Sequence, residues 1–189
     1  LDTEGRSNQS EAPHPLDMAS KTLRVASTDN PLRCAILISG SGSGMEAMLH
    51  HQQSTACLHT TCVVISNKPD VLGLERAKTL NTPTAVIELP DGLEGNARRL
   101  AHELSIEAVL NDYSVELVIL SGYMRLLSPE FVERWESQVV NIHPSLLPAF
   151  PGAHAHRDVI AAGATKSGCS VHYVDAGMDT GKVIAQYEV

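Results

Sequence analysis

The chain has 189 residues, 43% of them apolar, which suits one domain with a core on both sides of a sheet. Lys and Arg number 14 against 22 Asp and Glu, and the net charge of −8 excludes general attraction to nucleic acid or to an anionic membrane, though not a local basic pocket. The four cysteines, Cys34, Cys57, Cys62 and Cys169, form no CxxC pair and are expected as free thiols in a reducing cytoplasm, and no apolar run approaches the ~18 residues of a membrane span.

Residues 1–30 are polar, with no sustained apolar period, and are expected to form a disordered N-terminal extension. From Cys34 onward, short β-branched runs alternate with helical patterns. Strands are predicted at 34–38, 61–65, 84–87, 117–120, 139–142, 169–174 and 183–189, the apolar run 117–120 being central. Helices are predicted through 45–49, over 72–80, over 96–110 with Leu100, Leu104 and Ala108 on one face, and over 157–162. Another begins at Pro129, behind the capping residue Ser128, and runs to Trp135. This alternation predicts the α/β class, a doubly wound, mostly parallel sheet flanked by helices and Rossmann-like in its N-terminal half, with ligands beyond the carboxyl ends of the strands.

Three stretches carry candidate chemistry. Ser39-Gly40-Ser41-Gly42-Ser43-Gly44 lies between a strand and a helix, where free amides hold a phosphate or where the glycines form only a tight turn; no Gly-Lys-Ser/Thr follows it. Asn141 and His143 lie two apart at a strand end, in a segment stiffened by Pro144, Pro148 and Pro151. An amide there stabilises an oxyanion and an imidazole moves protons, a pairing suited to acyl or formyl transfer, or they form a structural polar pair. Asp179 follows the turn-like 175–178, and a carboxylate near His143 would favour its charged form, or Asp179 is only a turn residue. His154, His156 and His172 match no common zinc spacing, so no metal is expected, and no GxSxG elbow is present.

NIHPSLLPAFPGAHAHR and SGCSVHYVDAGMDTG, with SGSGS after the first strand, SNKPDVLGLERA and LSGYMRLLSPEF, resemble the signature regions of the phosphoribosylglycinamide formyltransferase family in family order, from about Arg33 to Val189. The resemblance implies the formyltransferase fold over 31–189 and transfer of a formyl group from 10-formyltetrahydrofolate to glycinamide ribonucleotide in purine synthesis, without metal, by a monomer or homodimer. It implies a catalytic trio: Asn141 holding the formyl oxygen, His143 donating a proton, and Asp179 tuning the histidine and ordering a water, with Ser170 in support. Gly42, Ser43 and Gly44 match the substrate-phosphate loop. Arg99, Met124, Arg125, Leu126 and Leu127, together with Asn141 and the turn Asp175, Ala176, Gly177, Met178 and Asp179, match folate-contacting positions.

The chain departs from the family where asparagine is common at the positions of Ser41 and Gly44, and where proline is usual at Lys182, for which we have no functional account. The family also continues beyond Val189 with a strand and a C-terminal helix, which the domain is expected to lack. Formyltetrahydrofolate deformylase and methionyl-tRNA formyltransferase share parts of the pattern. The short polar extension opposes the first, the acidic charge and the end at Val189 oppose the second, and an inactive folate- or nucleotide-binding module is the alternative of another class.

Overall fold

A computed structural model describes residues 23–189. Seven strands, β1 (Leu32–Ile38), β2 (His59–Ser66), β3 (Thr84–Val86), β4 (Leu117–Leu120), β5 (Val139–His143), β6 (Gly168–Tyr173) and β7 (Val183–Glu188), form one sheet in the order β3-β2-β1-β4-β5-β6-β7. β1 to β5 pair in parallel, and β6 and β7 add an antiparallel edge. β4 stands in the middle, as its unbroken apolar run predicts. The helices are α1 (Ser43–Ser54), α2 (Leu72–Thr79), α3 (Gly95–Asp112), α4 (Pro129–Arg134) and α5 (Ala155–Ala161).

Strand alternation divides the core between the two faces of the sheet. Ala35, Leu37, Val118, Leu120 and Val139 pack under Ile106 and Leu110 of α3 and Phe131 of α4. Cys34, Ile36, Ile38, Ile119 and Val140 pack under Met45 and Leu49 of α1 and Ala77 of α2. The chain crosses from one face to the other between β1 and β4, and their carboxyl ends lie side by side at that switch point.

The face of α3 that turns inward differs from the expected one. Leu104 is exposed, while His102, Glu103, Ile106 and Leu110 are buried. Partners distant in sequence decide this. Glu103 accepts the Ser128 amide at 2.6 Å and its hydroxyl, and His102 Nε2 binds the Ile87 carbonyl at 2.8 Å. The Ser128 hydroxyl also accepts the Phe131 amide, so the predicted cap of α4 is present and is itself anchored to α3.

Residues 1–22 of the expected extension lie outside the described residues. In the remainder, which has no helix or strand, Arg24 donates through Nε and Nη2 to the Glu116 carboxylate at 2.6 and 2.8 Å and to the carbonyls of Asn30 and Pro31. No helix among the described residues is long and apolar enough to cross a membrane.

Candidate active site

The glycine loop joins β1 to α1 at the switch point. Gly42 caps α1 with φ 65°, a left-handed conformation that a side chain would strain, and a Cβ on it would come 2.8 Å from Cα of Gly73 in α2. The Gly73 amide donates to the Gly40 carbonyl at 3.1 Å, so two glycines allow the loop and the start of α2 to touch. The first intrahelical bond runs from Glu46 to the Gly42 carbonyl, which leaves the amides of the preceding turn without intrahelical acceptors. Ser43 and Gly44 are exposed there, an arrangement that can hold an anion.

One hydroxyl ties this loop to the segment after β4. Ser39, almost fully buried, donates to Oδ1 of Asn67 at 2.6 Å and accepts the Met124 amide at 2.8 Å, while its own amide donates to the Gly122 carbonyl. Met124 and Leu126 then present exposed apolar side chains, suited to a flat ring, whereas Leu127 points into the core beneath α3 and α4. Arg125 lies close enough to His102 to add to the burial that lowers the pKa of that imidazole.

β5 extends to His143, so Asn141 and His143 do share one side of the strand. Antiparallel pairing sets His172 opposite Asn141 and Ser170 opposite His143. Asp179 reaches this group from the loop before β7. Its Oδ1 accepts from Nδ2 of Asn141 at 3.3 Å and lies 3.5 Å from Nε2 of His172. Its Oδ2 accepts the Gly152 amide at 2.7 Å and lies 3.5 Å from Nδ1 of His143, an ion-pair distance when that ring is protonated.

Carbonyl partners fix the tautomers. Nε2 of His143 faces the Phe150 carbonyl at 2.9 Å and therefore carries hydrogen, leaving Nδ1 to face Asp179. Nδ1 of His172 faces the Tyr173 carbonyl at 2.8 Å, so Nε2 accepts from the Asn141 amide at 3.1 Å and turns that amide nitrogen toward Asp179. His172 is thus a member of the cluster that sequence reasoning did not select. The available signal was its two-residue spacing from Ser170 on one strand face. His154 and His156 are exposed, and no group of three or more His, Cys, Asp or Glu among the described residues could hold a metal ion.

Ser170 supports the loop rather than the trio. It is fully buried, donates to the Ser145 carbonyl at 2.7 Å, and accepts from the Leu147 amide and from Nε2 of Gln186. Ser145 in turn donates to the carbonyls of Ala149 and Phe150, which fixes the oxygen that holds His143. The turn before Asp179 is built by Asp175, whose Oδ1 accepts from the Gly177 amide at 3.0 Å and the Thr180 hydroxyl at 2.7 Å, leaving Ala176 and Met178 exposed.

A cavity of about 340 Å³ borders Asp179, walled by Leu147, Pro148, Pro151, Met178 and Val183. A larger one, about 620 Å³, lies at the amino ends of the strands around Arg24, Arg33 and Glu116. We assign the site to the former, because it is bordered by Asp179, whose carboxylate meets Asn141, His143 and His172. Arg99, also expected at the site, donates among the described residues to Asn96 on its own helix, while the adjacent Arg98 donates to the Pro90 carbonyl.

The chain is similar to known proteins. The formyl transferase family matches residues 32–189. Phosphoribosylglycinamide formyltransferase of Escherichia coli (strain K12) is 39% identical over 160 residues, 84% of this chain and 73% of that protein. The trifunctional purine biosynthetic protein adenosine-3 of Bos taurus is 43% identical over 157 residues, 83% of this chain but 15% of the bovine protein. The crystal structure of phosphoribosylglycinamide formyltransferase from Bacillus halodurans aligns with TM-score 0.75 at 39% identity, covering 83% of this chain and 79% of that one. By the span of the family match and these likenesses, the chain belongs to the formyl transferase family, alongside the phosphoribosylglycinamide formyltransferases.

Proposed function

We propose that this chain transfers the formyl group of 10-formyltetrahydrofolate to the amino group of glycinamide ribonucleotide, a step of purine synthesis, in the cytoplasm, where free thiols such as its own persist. The observation that carries the reading is the Asp179 carboxylate, placed against Asn141, His143 and His172 at the same carboxyl edge of the sheet as the exposed glycine loop. Glycinamide ribonucleotide lays its phosphate on the amides of Ser43 and Gly44. The pterin lies against Met124 and Leu126, which brings the formyl carbon toward Asn141.

The substrate amine attacks the formyl carbon, a C–N bond forms, and the carbonyl electrons move to oxygen. Nδ2 of Asn141 donates to that oxyanion; its 3.3 Å bond to Asp179 is the longer of its two and the one the oxyanion replaces. Collapse breaks the bond to the folate nitrogen, which takes up a proton as the former amine loses one. Nδ1 of His143 is the ring nitrogen available for that exchange, because Nε2 is held by the Phe150 carbonyl. Asp179 stands 3.5 Å from Nδ1, close enough to pair with the ring when it carries the proton, and a water ordered beside the two relays it.

The test is to incubate purified protein with both substrates and follow the folate absorbance. Turnover that requires glycinamide ribonucleotide is expected. Turnover without it would make the chain a deformylase, and folate binding with no turnover would make it a binding module.

A further inference from the structure

Ser121 directly follows β4 at the switch point, and its hydroxyl makes no hydrogen bond with any described residue although the residue is only 8% exposed. It is not sealed away, since Thr61 Oγ1 is the only buried polar side-chain atom without a partner among the described residues. Ser121 Oγ faces the first turn of α1, where a Cβ built on Gly44 would lie 2.8 Å from it. Gly44 is exposed, so the hydroxyl reaches the same opening onto which the free amides of α1 project. The position is fixed by backbone bonds: the Ser121 amide donates to the Leu37 carbonyl, and Ser39 binds the neighbouring Gly122.

A nearly buried hydroxyl that makes no protein hydrogen bond yet opens onto the α1 end is free to donate to a molecule bound there, and an anion supplies the acceptor. We propose that Ser121 is a substrate-binding residue whose hydroxyl donates to a phosphate oxygen held at the α1 N-terminus, and that Gly44 lacks a side chain because one would cover this hydroxyl. The proposal rests on the reading of the glycine loop as a phosphate site. It makes the anion site a two-part device: α1 contributes backbone amides and the positive end of its dipole, and the residue after β4 contributes a directed hydroxyl that discriminates phosphorylated from unphosphorylated ribose.

The experiment uses Ser121→Ala, Gly44→Ala and the double variant. Binding of ribose 5-phosphate and of ribose is measured by calorimetry, and kinetics are measured with glycinamide ribonucleotide and with its dephosphorylated riboside. For Ser121→Ala we expect ribose 5-phosphate affinity to fall roughly tenfold, the gain of a hydrogen bond to a charged group, with ribose unaffected. The kinetic loss should fall on KM for glycinamide ribonucleotide rather than on kcat or on KM for folate. Gly44→Ala should cause a similar loss, and the double variant should lose little more than either single one. Unchanged ribose 5-phosphate affinity in Ser121→Ala, or equal weakening of both sugars, would overturn the proposal. The binding arm does not depend on catalysis. Absent formyl transfer with a Ser121-dependent phosphate site refutes the activity and leaves this site standing; transfer with no Ser121 dependence does the reverse.

Discussion

Oδ2 of Asp179 accepts the amide hydrogen of Gly152 at 2.7 Å across 27 residues of chain, so the proline loop after β5 and the turn before β7 meet on a single carboxylate. Asp179 holds a left-handed φ of 55°, a conformation that asparagine also tolerates. Asp179→Asn therefore removes the charge while keeping the backbone. Formyl transfer is expected to fall by roughly 10²–10⁴-fold, with folate binding nearly unchanged by fluorescence titration. A rate like that of the wild type would remove Asp179 from the mechanism.

Ser39 links the two halves of the site, and Ser39→Ala deprives the Met124 amide of its acceptor and Asn67 of its donor. The expected cost is about 1–3 kcal/mol in denaturant unfolding. Looser positioning of the segment after β4 should also raise KM for folate several-fold. Loss of stability with unaltered folate affinity would confine Ser39 to the scaffold.

The pair of Arg24 and Glu116 predicts a pH signature. The Arg24 guanidinium, with the Arg33 amide assisting it against partial burial, holds the Glu116 carboxyl below its ordinary range. A carboxyl lowered in the folded state contributes stability above its unfolded pKa and loses it as pH falls through the folded value. Glu116→Gln should thus lower the melting temperature at pH 7, and the gap to wild type should close below about pH 4. A gap independent of pH would mean that the charge contributes nothing.

Thiol reactivity should follow burial. Cys34 is fully buried and pushed up to about 12, chiefly by burial and then by the neighbouring Cys62, which burial also raises. Iodoacetamide at pH 8 should label the partly exposed Cys57 and Cys169 in the native protein, Cys62 more slowly, and Cys34 only after unfolding, as read by mass spectrometry. Labelling of Cys34 as fast as Cys57 would contradict its place in β1.

The fold was legible because each parallel strand is a short apolar run bounded by polar turns, and Asn141 and His143 were legible because they lie on one strand. His172 was not, since its relation to Asn141 exists only through the β5–β6 register, which no local pattern encodes. The buried face of α3 was hidden for a related reason. Hydrophobic periodicity favours Leu100 and Leu104, but His102 and Glu103 turn inward to partners at Ile87 and Ser128. Leu127 matched a folate position in sequence, yet its side chain belongs to the core.

The antiparallel pairing of β5 with β6 has one more consequence. Asn141, His143, Ser170 and His172 occupy a single face of two adjacent strands, as alternation requires. A slip of one residue between those strands would carry β6's two members through the sheet to the opposite side together. A chain mispaired in this way would lose the His172 partner of Asn141 and the Ser170 anchor of the proline loop in one step.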